Sequence, residues 1–384
     1  MGASPAASAV PTSIDDPVNA AILRVAEDRL AGFQPDPIGA VAEQAGLEAA
    51  VVCERLGAML SAGVVRRVRQ TLLTTSLAPG ALVAWKVPPT KLTAAFDYMS
   101  QRDPFSGHVV TRTTDGETPG SKYRLWTTLK VPVGYSLAKH CDWLSERVGA
   151  EAYRPLPAKK LFALGVGHLR RRSMEPGART DEPGRVIDTR VVPLSPEQWR
   201  VVSALKREFA AEELRPDGGL WSGRAEEAGM SLEAFVEAAR GLESLGLMGR
   251  FSAFLEHVKP SADGARVTRF NALFHWKVPA GREIDAGQEV GRHHCMTHAY
   301  WREGGPEFAG VNVMGVAHGL EKERVLAHKA AIDAHLEEAG IGVAYTNVFW
   351  GGRSEIKPSE VVPAEYAKWC ASVGIDAESM RDGG

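Results

Sequence analysis

The chain has 384 residues, too many for one compact core, which points to two or three domains. Its 45 Lys and Arg nearly balance 47 Asp and Glu, so no global charge draws it to nucleic acid. Cys53, Cys141, Cys295 and Cys370 lie far apart with no C-x-x-C pair, which excludes a disulfide framework and an iron–sulfur site and suits a reducing compartment.

Residues 1–16 are small and mostly uncharged and read as a disordered N-terminus; they lack the basic and apolar regions of a signal peptide. No stretch is long and apolar enough to span a bilayer, so the expectation is a soluble, cytoplasmic protein with no membrane partner. Asp16 before Pro17 is a helix N-cap signal. Helices are expected near 17–30, 37–45 and 48–62, broken at "GFQPDP" and Gly46, and "GVVRRVRQTLL" then alternates like a short hairpin. Helices followed by a two-stranded wing make a winged helix-turn-helix over 17–78.

Residues 80–170 read as strand (81–88), helix (90–101), strands (106–113 and 122–131), helix (135–148) and strand (160–168). That order is the split βαβ of a ferredoxin-like domain. Residues 171–192 form a polar linker rich in Pro and Gly. Ser195 before Pro196, with Gln198 completing a capping box, opens a second winged helix-turn-helix over 193–258. A second ferredoxin-like domain follows over 268–352, with strands at 270–279, 293–302, 309–318 and 342–350 and helices at 282–291 and 320–339. Residues 353–384 read as a C-terminal tail with one short helix.

The two halves share wording as well as order. Trp85-Lys86-Val87-Pro88 returns as Trp276-Lys277-Val278-Pro279, 191 positions further on, and His108 and Arg112 return as His298 and Arg302. Gly63 and Arg67 match Gly246 and Arg250. The fold class is therefore α+β, a tandem repeat of winged helix-turn-helix plus ferredoxin-like domain, with the duplication giving an internal pseudo-dimer.

Alternate residues of a strand share a face. In 293–302 that groups His294, Met296, His298, Tyr300 and Arg302, and on the neighbouring strand Asn312, Met314, Val316 and His318. In the first half it groups His108, Val110 and Arg112, and beside them Arg124, Trp126, Thr128 and Lys130. A ferredoxin-like sheet covers one face with helices, and these polar sets are assigned to the open face. His293 and Cys295 share a face from which His294 and His298 point away, so no metal site is expected. Solvated histidines on an exposed sheet are the plain alternative. The repeated histidine and arginine four apart, over an apolar floor, suit instead a large, flat, polyanionic ligand.

The architecture resembles the leucine-responsive (Lrp/AsnC) regulators, and the strand motifs resemble their enzymatic branch, the siroheme decarboxylases, including the fused two-half forms. That branch carries an "HxYxR"-like strand and "YN(L)xxMxHG". Here "HAYWR" (298–302) matches the first and "VNVMGVAHG" (311–319) matches the second loosely, with Val311 in place of tyrosine. The first half departs, with Val110 for the tyrosine, Arg124 for the asparagine and Lys130 for the last histidine, which casts it as a substrate-holding partner.

The resemblance implies removal of two acetate carboxyls from siroheme, giving didecarboxysiroheme in heme or d-type heme biosynthesis. It implies His298 as general acid, and His318 for a second proton transfer or contact with the iron. His108, Arg112, Arg124, Lys130, Tyr300, Arg302 and Asn312 would bind substrate, the cations holding carboxylates. No cofactor is required, because the iron arrives with the tetrapyrrole; a bound heme or siroheme and further homo-oligomerisation are compatible with this. The rival classes are a heme- or tetrapyrrole-sensing transcriptional regulator and a non-enzymatic tetrapyrrole carrier. Against specific DNA binding, residues 47–60 carry Glu48 and Glu54 against Arg55, and 231–245 carry Glu233, Glu237 and Glu243 against Arg240.

Overall fold

The computed structural model describes residues 10–164, 174–256 and 268–383. The first nine residues, the end of the strand expected at 160–168, the start of the linker and the last residues of 193–258 lie outside the described residues.

In chain order the first elements are α1 (Pro17–Ala26), β1 (Leu30–Ala31), α2 (Pro37–Ala45), α3 (Ala49–Ser61) and β2 (Val65–Leu72). Asp16 caps α1 by accepting from the amides of Val18 and Asn19, and Gly46 ends α2 in the left-handed conformation. Then come β3 (Gly80–Lys86), α4 (Leu92–Gln101), β4 (Ser106–Thr113), β5 (Leu125–Lys130), α5 (Leu137–Val148), β6 (Ala152–Leu156), β7 (Ala158–Leu164) and β8 (Ile187–Asp188). The second half supplies α6 (Pro196–Leu205), α7 (Ser222–Ala228), α8 (Leu232–Ser244) and β9 (Met248–Leu255). It ends with β10 (Phe270–Lys277), α9 (Glu283–Arg292), β11 (Met296–Arg302), β12 (Val313–Gly319), α10 (Lys322–Glu338), β13 (Tyr345–Ile356) and α11 (Pro363–Ser372). The capping box of Ser195 and Gln198 opens α6 as expected.

The chain divides into two compact units that cut across the sequence repeat. The helices α1–α3 and α6–α8 share one unit with a sheet in the order β1-β9-β2. "GVVRRVRQTLL" does not fold back as a hairpin: it is one strand, β2, paired antiparallel with β9 of the other half. The segment between Val65 and Leu72 has no Gly, Pro or Asn to reverse the chain, so it stays extended and finds its partner elsewhere.

The second unit holds a ten-stranded sheet, β6-β3-β5-β4-β13-β10-β12-β11-β7-β8, that contains both ferredoxin-like repeats. Each repeat has its first strand between its last and third, as the split βαβ requires. The last strand of each half then crosses to the other half. Strand β13 pairs with β10 up to Trp350 and with β4 from there to Ile356, while β6 pairs with β3 and β7 with β11. The crossing covers what would be raw sheet edges at β4 and β11. It happens at residues that allow it. Pro157 separates β6 from β7, and the register of β13 shifts after Gly351, where a Cβ on the following Gly352 would lie 2.7 Å from the Thr111 hydroxyl.

The crossing corrects the expectation of two open faces. They meet each other. Ala84, Val110, Trp126 and Leu156 of the first half pack with Leu273, Phe308, Val311, Met314 and Phe349 of the second in a single apolar cluster. The helices cover the outer faces, over Trp85, Phe96 and Leu129 in one half and Phe274, Trp276 and Ala299 in the other.

The expected tail is also different. Residues 353–356 continue β13, and α11 docks on the helical core of the first half. Tyr366 stacks on Tyr135 at 4.3 Å, its ring lies 4.7 Å from that of Phe105, and its hydroxyl meets His140 Nδ1 at 2.9 Å. Trp369 packs edge-on against Phe105. The sequence shows α11 as a short amphipathic helix but not which half it covers. Trp369→Ala is expected to cost about 3–5 kcal/mol, read as a fall in the denaturant midpoint; wild-type stability would show that the helix does not carry this core.

Candidate functional site

Strand β11 brings the imidazole, phenol and guanidinium of the "HAYWR" motif to the inner face. A β-bulge between Met296 and His298 sends Met296 outward to the helical core, so Met296 does not share the face of His298 as simple alternation predicts. The rings of His298 and Tyr300 lie parallel with centroids 5.9 Å apart, and the Arg302 guanidinium sits 4.4 Å over the Tyr300 ring. Arg302 also donates through Nη1 to the main-chain oxygen of Leu156, in the other half. Burial pulls the Arg302 guanidinium below its ordinary range and pushes the Tyr300 phenol up.

Arg112 repeats this arrangement. Its Nη1 donates to the Phe349 carbonyl at 3.2 Å and to Asn271 Oδ1 at 3.3 Å, both in the second half. Burial lowers its guanidinium to about 9. Asn271 Nδ2 lies 3.0 Å from His318 Nε2, and the Thr297 hydroxyl lies 3.4 Å from His318 Nδ1 and 3.3 Å from His298 Nδ1. The two histidines of the second half are thus linked through one hydroxyl, and the chain of contacts ends on an arginine of the first half.

Lys130 is half-buried at the end of β5, facing Gly80, where a Cβ would come within 3.2 Å of Nζ. Burial, reinforced by the nearby Arg302 charge, pulls its ammonium from the ordinary 10.5 to about 7. Tyr300, Arg302 and Lys130 therefore form a second group, built from both halves. Among the described residues Arg112, Arg302 and Lys130 have no carboxylate partner, and the Nε groups of both arginines are buried without an acceptor. Buried cations in that condition call for an anion.

The lysine gives a sign that is open to measurement. Between pH 7 and 10.5 the unfolded chain holds a proton that folded Lys130 has released. Stability from this group therefore rises with pH across that window and is lost as pH falls through 7. Lys130→Met is expected to flatten that part of the Tm–pH curve relative to wild type; an unchanged slope would mean that Lys130 is ordinarily solvated.

The remaining predicted residues are placed differently. His108 Nε2 meets Ser354 Oγ at 2.7 Å, across to β13. Arg124 precedes β5, and its main-chain oxygen accepts from the Arg112 amide at 2.9 Å. Asn312 is not on the inner face. It lies before β12, where its side chain holds the amide and carbonyl of Val278 at 2.9 and 3.0 Å and Glu283 Oε1 at 3.1 Å, fixing the entry to α9. Its neighbour Val311 points inward instead, because regular alternation begins only at Val313.

Sequence reasoning missed His275, Asn271 and Thr297. His275 lies buried among aromatic rings, 4.7 Å from that of Phe349, and burial followed by the Arg112 charge lowers it to about 3, so it is neutral at ordinary pH. The repeat held the signal, since Ala84, Gly80 and Gly107 occupy these three positions in the first half. Among the described residues no group of three or more His, Cys, Asp or Glu is placed to hold a metal ion, and no helix is long and apolar enough to cross a membrane.

Residues 78–163 match the family model of the AsnC-like ligand binding domain. A stretch of 108 residues is 30% identical to the siroheme decarboxylase beta subunit of Desulfovibrio desulfuricans, covering 28% of this chain and 61% of that protein. The match thus spans less than two thirds of that relative. The crystal structure of the siroheme decarboxylase NirDL superimposes with a TM-score of 0.63 at 20% identity, over 93% of this chain and 98% of that one. The same protein in co-complex with an iron-uroporphyrin III analogue gives 0.61 at 19% identity, over 93% and 99%. The fold is therefore shared along nearly the whole chain, while the AsnC-like match itself covers the first ferredoxin-like repeat.

Proposed function

We propose that the protein is a siroheme decarboxylase that removes two acetate carboxyls of siroheme and leaves methyl groups. The observation that carries this reading is the pair His298 and His318, joined through Thr297 and linked through Asn271 to Arg112, a buried cation with no carboxylate partner among the described residues. An iron tetrapyrrole ringed by carboxylates supplies the missing anions and a flat apolar body for the aromatic cluster. The names of the similar proteins agree with it.

Lys130, Arg302 and Arg112 would hold carboxylates and choose which acetate reaches the histidines, using the arginine Nε donors left over from their main-chain contacts. Loss of carbon dioxide leaves an electron pair on the methylene carbon, which the conjugated ring delocalises. His298 then delivers the proton that completes the methyl. The iron belongs to the substrate. Both halves of the pseudo-dimer contribute, the first chiefly cations and the second the imidazoles.

We read the helices of the first unit as winged helix-turn-helix pairs that no longer read DNA. Arg55 on α3 is tied to Asp16 at 3.2 Å, and the strands that would serve as wings are spent on each other. Few donors remain on those helices for phosphates or base edges. Mass spectrometry of siroheme incubated anaerobically with the protein tests the proposal. The expected product is lighter by two carbon dioxide units. Siroheme that binds but stays intact would favour a carrier, and sequence-specific operator binding at physiological salt would favour a regulator.

A further inference from the structure

We propose that Asn271 and Thr297 are positioning residues that fix the tautomers of the two imidazoles, so that His298 alone gives up a proton, from Nε2, and His318 is its neutral support. This deepens the decarboxylase reading and rests on it for the role of His298. The Arg112 guanidinium can only donate. Its contact therefore orients the Asn271 amide, with Oδ1 towards the guanidinium and Nδ2–H towards His318. His318 Nε2 must accept, so its proton sits on Nδ1 and points at the Thr297 hydroxyl.

The Thr297 hydroxyl has one proton, which it gives to the Val316 carbonyl at 2.9 Å. Two acceptor sites are left on its oxygen, one for His318 Nδ1–H and one for His298 Nδ1–H. Its hydrogen bonding is then complete. A second proton on His318 would set an N–H against the Asn271 N–H, so His318 stays neutral. His298 meets no such obstacle from this network. As imidazolium it carries protons on both nitrogens; the bond from methylene to carboxyl breaks, carbon dioxide leaves, and the electron pair on carbon takes the Nε2 proton. What remains is neutral His298 with its proton on Nδ1, the tautomer that Thr297 already holds.

The duplication supports a dedicated device. The first half has Gly80 for Asn271, Gly107 for Thr297 and Lys130 for His318, so the relay is absent where the imidazole pair is absent.

Nitrogen NMR of histidine-labelled protein without substrate tests this, with signals assigned from His298→Gln and His318→Gln. Both imidazoles are expected as Nδ1–H tautomers when neutral. Asn271→Leu should release His318 to mixed tautomers and lower kcat by about 10–100-fold with a smaller change in KM. Thr297→Val should disturb both imidazoles, and Thr297→Ser, which keeps the hydroxyl, should restore them. An Nε2–H tautomer or an imidazolium for wild-type His318 at neutral pH would overturn the proposal. So would an Asn271→Leu protein whose His318 signals or kcat match wild type. Expected spectra from a protein that leaves siroheme intact would sink the decarboxylase reading and keep the tautomer assignment.

Discussion

His298→Ala is expected to bind the tetrapyrrole and lose most of its turnover, by about 10²–10⁴-fold, the usual contribution of a positioned general acid. Binding is expected to survive because the arginines that would hold the carboxylates have anchors other than this imidazole: Arg302 lies over Tyr300 and donates to Leu156, and Arg112 is held by Asn271 and Phe349. Removing the ring also takes away a parallel neighbour of Tyr300. Tyr300 keeps the Arg302 guanidinium over its ring, so the face should hold its shape. Two measurements check this: absorbance titration with the tetrapyrrole, and the rate of product formation under saturation. Wild-type turnover would remove His298 from the mechanism, whereas lost binding with unchanged saturated turnover would make it a binding group only.

Much of this could be read in advance where the information is local. Asp16 and the Ser195 capping box mark helix starts by their own hydrogen bonds, and the repeat of Trp-Lys-Val-Pro placed both ferredoxin-like strand orders. The motif residues His298, Tyr300 and Arg302 do share one face. What failed was long-range. Nothing in the sequence of β13 says that its second half pairs with β4, and without that crossing two buried faces look open. Single-residue irregularities failed too. The bulge before His298 and the late start of β12 each move a neighbour, Met296 or Asn312, to the other side, since alternation survives only until one residue is added. Asn271 and Thr297 were passed over because neither is titratable; their importance lies in what they touch.

The crossing makes the arginines more than ligands for a substrate, and this gives the second large effect. Arg302 and Arg112 each reach from the second strand of one repeat to a main-chain carbonyl on the last strand of the other half, Leu156 and Phe349. Both guanidiniums are buried, at 7% and 4% exposure, so no bulk water replaces them at those carbonyls. Arg302→Ala would leave the Leu156 oxygen without this donor and remove the cation over Tyr300. An unsatisfied buried acceptor costs about 1–3 kcal/mol, and each kcal/mol should lower Tm by about 1–2 °C in a protein of this size. Burial of the charge works in the opposite direction, because desolvation already depresses the Arg302 guanidinium. The carbonyl contact and the Tyr300 ring are expected to prevail, since alanine leaves a void as well as a missing donor. Lys368→Ala, which breaks an exposed pair with Glu365 at 2.7 Å, is the control and should change stability by less than about 0.5 kcal/mol. The comparison is made on the protein without ligand, so that weaker tetrapyrrole binding by the same variant cannot produce the shift. An Arg302→Ala protein that melts with the wild type would mean that the crossing strands hold without their arginines and that Arg302 acts on the substrate alone.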